Sequence, residues 1–205
     1  MKGTKQPPTD VARGRPKAFD YEEALDTAMR VFWTRGYDGA SLTNLTDAMG
    51  INRPSLYATF GNKEDLFQLT LERYAQQNAT VFAECLSHVS ARAGMDRLLR
   101  EAAEAFASPA NPGGCFWNQA LMSCATATSK MQRHMKKMAA GFDATLVGRL
   151  ERAVADGELP PGTSTTDLAR YFSVVFQGLG LQARRGSTRD ELHRAIDMAM
   201  RGWPT

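Results

Sequence analysis

Apolar positions along this chain recur at helical spacing almost throughout, and no stretch alternates polar and apolar as a half-buried strand would. After Asp20, a side chain suited to capping a helix, Ala24, Ala28 and Phe32 return every four residues beside Leu25, Met29 and Trp33. Gly36 closes that segment. Ser41 opens a shorter helix with Leu42, Leu45 and Met49 on one side, and Gly50 ends it. Asn52 caps a third helix, tolerant of Pro54 in its first turn, with Leu56, Tyr57 and Phe60 following. Gly61-Asn62 breaks the chain again. Asn62 and Asp65, three residues on, predict the start of a long helix through Leu66, Leu69, Tyr74, Val81 and Phe82, about 28 residues and roughly 40 Å.

Past Gly94 the helical pattern resumes with Leu98, Ala102 and Phe106, then a Pro- and Gly-rich break spans Ser108 to Gly114. Further helices are expected from Phe116 to Ser129, Met135 to Ala155, Asp167 to Ala183 and Arg189 to Met200. Gly157 to Gly162 and Gly186-Ser187 separate the later ones. The fold class is all-α, with three compact helices ahead of a long connector and a separate helical bundle.

Composition narrows the possibilities. A hydrophobic fraction of 43% in 205 residues suffices for a small domain fused to a medium one. No apolar run approaches a membrane span and the N-terminus has no secretory apolar stretch, so a soluble, cytoplasmic protein without membrane contact is expected. Cys85, Cys115 and Cys124 are odd in number and lack metal-ligand spacing, which predicts reduced thiols and no metal site. His88, His134 and His193 are scattered, and neither a phosphate loop nor a dinucleotide fingerprint occurs, so neither an enzyme nor a cofactor is expected. Net charge is only +3, but its placement is uneven. Residues 1–18 carry Lys2, Lys5, Arg13, Arg15 and Lys17 against Asp10 alone, with Pro7, Pro8, Gly14 and Pro16, and read as a basic arm without a core.

The pair of short helices joined at Gly50 has the spacing of a helix-turn-helix, whose second helix enters the major groove of DNA. The run LTDAMGINRPSLYATFGNKEDLF, Leu45 to Phe67, closely resembles the signature of the TetR/AcrR family of bacterial regulators, and FWTRGY, Phe32 to Tyr37, fits it too. The resemblance covers Phe19 to Leu71. Thr46 and Met49 depart from it, standing where its commonest form has alanines. Residues 19–66 are thus read as the DNA-binding domain, and 67–205 as the ligand-binding and dimerisation domain.

Polar side chains on the second helix, opposite Leu56 and Phe60, are candidates for base edges or phosphates: Arg53, Ser55 and Thr59. Tyr57 and Lys63 are candidate phosphate contacts, Lys63 at a helix start where backbone amides also point outward; the resemblance implies the same two. Thr43 and Asn44 are weaker candidates in the preceding helix. The bland alternatives are a half-buried core tyrosine, a solvated arginine and an ordinary helix-start lysine. Arg13 and Arg15 flank Gly14 in a Gly-Arg-Pro core similar to A·T minor-groove binders, or the arm has no role.

A regulator needs a second site, and candidate lining comes from Phe106, Phe116, Trp117, Met122, Phe142, Tyr171, Phe172 and Phe176, with Gln119 and Gln177 as polar anchors. The same aromatics also suit a packed core. An apolar or aromatic effector fits this lining best. Half-sites on DNA spaced one helical turn apart demand a two-fold homodimer. The resemblance implies pairing through helices around Phe142 to Val154 and Leu168 to Leu181, where Gly178 and Gly180 would permit close approach. The expected function is therefore a repressor, released from a palindromic double-stranded operator by a small molecule. Two alternatives stay open: a thiol-sensing repressor acting through Cys115, at a helix start that favours a thiolate, and an architectural DNA-binding protein without ligand.

Overall fold

The computed structural model describes residues 19–123 and 128–205, and every regular element among the described residues is a helix. Arg13, Arg15 and Cys124 lie outside these residues. Helix α1 (Tyr21–Gly39) begins as expected, with the Asp20 carboxylate accepting from the Glu23 amide at 2.9 Å. It does not stop at Gly36 but breaks there: Gly36 has φ 72° and ψ 169°, a conformation that a side chain would strain. Helix α2 (Leu42–Met49) carries a capping box between Ser41 and Asn44, and left-handed Gly50 makes the tight turn into α3 (Arg53–Phe60). Helix α4 (Lys63–Leu86) has 24 residues, about 36 Å at 1.5 Å each, shorter than expected because Ser87 to Ser90 turn the chain into α5 (Ala91–Phe106).

Helices α6 (Phe116–Met122), α7 (Ser129–Ala155), α8 (Thr165–Arg184) and α9 (Arg189–Met200) complete the described chain. The helix expected from Phe116 to Ser129 is therefore cut short. Its cause is tertiary: the Ser123 carbonyl accepts from the Asp38 amide of α1 at 3.3 Å. Ser129 instead opens α7, capped by Thr128.

Two hydrophobic clusters divide the interior. The first gathers α1 to α3 around Phe32, Leu45, Leu56, Leu66 and Phe67, and it also takes Phe116 and Ala120 from α6 with Met131 and Met135 from α7. The second packs α5, α7, α8 and α9 around Leu99, Leu150, Phe172, Ile196 and Trp203, with Cys85 and Leu86 from the end of α4. Helix α4 thus belongs to both. Each fully buried Phe or Leu contributes about 1.5–3 kcal/mol, so Phe116 alone ties the sequence's second half firmly to its first.

A polar bolt holds the far end. Buried Arg149 of α7 donates to the His88 carbonyl at 3.0 Å and to Glu158 at 3.0 Å, while the Ala91 amide donates to the same carboxylate at 2.6 Å. Partial burial would raise the Glu158 pKa, but the Ala91 amide and Arg149 outweigh it and hold the carboxyl below its usual range.

Candidate nucleic-acid interface and effector region

The turn between α2 and α3 presents one face to solvent. Leu56 and Phe60 point inward, leaving Arg53, Pro54, Tyr57, Ala58 and Thr59 exposed, with Tyr57 at 49%. Ser55 is half-buried, its amide donating to the Asn52 cap at 2.8 Å. Tyr57 is thus not a core tyrosine. Arg53 and Thr43 are brought together, the guanidinium donating to the Thr43 hydroxyl at 2.8 Å, so two candidates from different helices form one polar edge. Asn44 is committed differently: its side-chain oxygen accepts from the Ser41 amide and hydroxyl at 3.1 and 2.8 Å, which makes it a capping residue.

The two departures from the motif have local explanations. Buried Thr46 turns its hydroxyl onto the Leu42 and Thr43 carbonyls, at 2.9 and 3.2 Å, and so satisfies itself within α2. Met49 fills the cluster beneath the turn.

Lys63 stands at the first position of α4. Its ammonium lies 4.5 Å from the centre of the Tyr37 ring, and that ring packs on Phe32 and Phe67 at 6.2 and 4.9 Å. The outward backbone amides expected beside it are absent from duty, since the Glu64 and Asp65 amides both donate to the Asn62 side chain at 2.8 and 3.0 Å. The side-chain charge is what Lys63 offers an anion. Neighbouring carboxylates are engaged elsewhere: Glu64 accepts from Thr128, and Asp65 from the Asn62 amide and Lys130, which together hold its carboxyl below the usual range. Tyr37, within the FWTRGY run, is the residue that places the Lys63 ammonium, and among the sequence candidates it had no role.

The ten candidate effector residues do not gather in one place. Phe106, Phe142 and Phe176 form a chain of ring contacts at 5.3–5.4 Å, extended at 5.2 Å by Phe82 of α4. Trp117 packs beside both clusters. Phe116 leaves the group, lying wholly buried against Trp33, Phe67 and Tyr74. Phe172 and Tyr171 turn toward the C-terminus, the Phe172 ring packing at a tilt on Trp203 and the Tyr171 hydroxyl donating to the Ala199 carbonyl at 3.3 Å. Met122 is 70% exposed at the end of α6. Gln119 approaches Gly36, and Gln177 donates to Ser173, which donates to Asp143. A cavity of about 300 Å³ lies between α1, α4, α5 and the following loop, lined by Trp33, Tyr74, Gln77, Phe106 and Asn111.

Cys115 contradicts its expected character. It is 5% exposed, and although it caps α6, burial pushes its thiol pKa up against the opposing help of the Asn118 amide and the Tyr74 hydroxyl. The Tyr74 hydroxyl donates to its sulfur at 3.7 Å. Cys85 is buried as well, and burial raises its thiol too. Gly180 is used within the chain: a Cβ there would lie 2.9 Å from the Cys115 Cβ, whereas Gly178 faces open space.

Comparison with known proteins bears on this arrangement directly. A family model described as bacterial regulatory proteins of the tetR family matches residues 24–70, and one described as the tetracyclin repressor-like C-terminal domain matches residues 94–199. The chain belongs to the TetR family. It is 36% identical over 198 residues to the HTH-type transcriptional repressor ComR of Escherichia coli (strain K12), covering 94% of this chain and 93% of that one. It is 28% identical to the repressor BdcR of the same organism, over 91% and 90% of the two chains. Among solved structures, a cysteine mutant of the TetR family regulator CifR complexed with 26 bp double-strand operator DNA superposes with a TM-score of 0.85 at 38% identity, covering 93% of this chain and 100% of that one. Homologues of this TetR chain are transcriptional regulators, not enzymes. Among the described residues no helix is long and apolar enough to cross a membrane, and no His, Cys, Asp or Glu cluster is placed to hold a metal.

Proposed function

We propose that this TetR-family regulator is a homodimeric repressor that binds a partly palindromic duplex and leaves it when a small apolar or aromatic molecule binds the second domain. The observation that carries the DNA half is the exposed edge of Thr43, Arg53, Tyr57 and Thr59 beside Lys63 on its aromatic shelf. Arg53 and Thr59 suit base edges, while Tyr57 and Lys63 suit phosphates. CifR's complex with operator DNA supports this use of the same fold. Dimerisation is supported by an apolar stripe on α8, where Tyr171, Val174 and Leu181 lie exposed on one line with Gly178 between them, and Val174 is 63% exposed.

Phe82, Phe142 and Phe176, half-buried and in ring contact, support an aromatic effector among α4, α7 and α8. Helix α4 runs from Lys63 to this group, so a ligand that shifts α4 also shifts the phosphate contact, and the coupling is reciprocal. Thiol sensing through Cys115 has less support, because its sulfur is buried with a raised pKa. Selecting bound fragments from genomic DNA with the purified protein tests the reading. Convergence on one palindromic sequence, released by members of a panel of aromatic compounds, is expected. Enrichment without a common sequence would favour the architectural alternative.

A further inference from the structure

The break in α1 is mended by residues from far along the chain. In an unbroken helix the Trp33 and Thr34 carbonyls would accept from the Tyr37 and Asp38 amides. Because Gly36 leaves the helical region, those four groups separate. The Tyr37 and Asp38 amides donate instead to the Ser123 hydroxyl at 3.1 Å and the Ser123 carbonyl at 3.3 Å. The Trp33 and Thr34 carbonyls accept from the two terminal nitrogens of Arg184, at 3.3 and 3.2 Å. Trp33 is buried, where an unpaired backbone carbonyl would be costly, and Ser123 and Arg184 between them partner all four groups.

Arg184 does more than repair. The same guanidinium donates to the Pro112 carbonyl at 3.2 Å and the Gly113 carbonyl at 3.5 Å, and the Trp33 indole also donates to Gly113 at 3.2 Å. One planar fork therefore joins α1, the α5–α6 loop and the last turn of α8. Close backbone approach makes this possible, since a Cβ on Gly114 would stand 2.6 Å from the Gly180 carbonyl oxygen. On the far side of the break, Tyr37 carries Lys63. On the near side, α8 carries the exposed stripe of Tyr171, Val174 and Leu181. Arg184 thus links α8, which carries that stripe, directly to α1, which carries Tyr37 beneath Lys63.

We infer that Arg184, aided by Ser123, fixes the angle of the DNA-binding domain on α8 and so determines which half-site spacing the dimer accepts. The inference rests on the dimer proposed above. A lysine keeps the charge but cannot donate in a fork to carbonyls of two elements at once. A residue that merely stabilised the fold would weaken binding to every spacing alike, whereas a residue that sets the angle would sharpen the preference for one.

The test uses full-length protein and the selected operator with its half-sites moved apart or together by one or two base pairs, read by fluorescence anisotropy. Wild-type protein is expected to lose about tenfold or more in affinity per base pair of misfit, because each step shifts a half-site along and around the duplex. Arg184→Lys is expected to lose only about two- to threefold per step, with an unchanged dependence on salt because no phosphate contact is removed. Ser123→Ala, which deletes one acceptor, should flatten the profile in the same direction and carries the test if Arg184→Lys fails to unfold cooperatively. An unaltered spacing profile in the variants, or an equal loss on all spacings, overturns the inference while leaving the dimer intact. A wild-type protein that sediments as a monomer on DNA, or prefers no spacing, overturns the dimer reading and this inference with it.

Discussion

Replacing Lys63 by methionine isolates its charge, because most of the apolar stem that carries the ammonium is preserved. The ammonium sits 4.5 Å from the ring centre, a cation–π contact worth about 1 kcal/mol between two half-buried side chains, so the fold should lose little. DNA binding should lose more. Binding to duplex releases roughly 0.9 counterion per neutralised phosphate, and a dimer presents two copies of Lys63. The slope of log affinity against log salt should therefore become flatter by about 1.8 in the variant. Between 50 and 200 mM salt, a fourfold change, the gap between wild type and variant should narrow about 12-fold. Anisotropy titrations at three salt concentrations measure this on the operator and on a scrambled duplex. Lys63→Arg should retain the slope. The loss should be equal on both duplexes, since a phosphate carries no sequence information. A variant whose slope matches wild type, or whose loss is confined to the operator, would refute phosphate contact at this position.

Three further outcomes follow from the packing. Glu158→Ala leaves Arg149 buried without its carboxylate and should lower unfolding free energy by about 1.5–3 kcal/mol at neutral pH, the range for hydrogen bonds to charged groups. Because the folded-state pKa of Glu158 is depressed, its contribution is complete above the unfolded value near 4.3 and disappears as pH falls through the lower folded value, so urea melts of the two proteins should converge in acid. Cys115 should react with iodoacetamide only on the timescale of local opening, and mass spectrometry that finds it modified within a minute at neutral pH would count against the buried thiol. Val174→Glu places a charge in the middle of the α8 stripe and should shift sedimentation toward monomer while weakening operator binding; an intact dimer would move the interface off α8.

Most of the element order is legible in the chain itself. Asp20, Ser41, Asn52 and Asn62 cap α1 to α4 as their types predict, because capping is a bond between a side chain and amides three residues away. The helix-turn-helix is legible for the same reason: Gly50 and the apolar spacing of Leu42, Leu45, Leu56 and Phe60 act locally. Whatever depends on distant partners was not. Gly36 reads as a helix end, yet the chain continues past it because Ser123 and Arg184 supply the bonds that α1 loses there. Phe116 and Phe176 look alike in sequence, but one is buried beneath the DNA-binding helices and the other sits among α5, α7 and α8. Cys115 has the position of a reactive thiol and the surroundings of an inert one, since desolvation by α4 and α8 outweighs the local amides. Short-range hydrogen bonds and periodicity are written residue by residue; burial is a property of the assembled chain, and it alone decided which of these side chains stay exposed and which pack on one another.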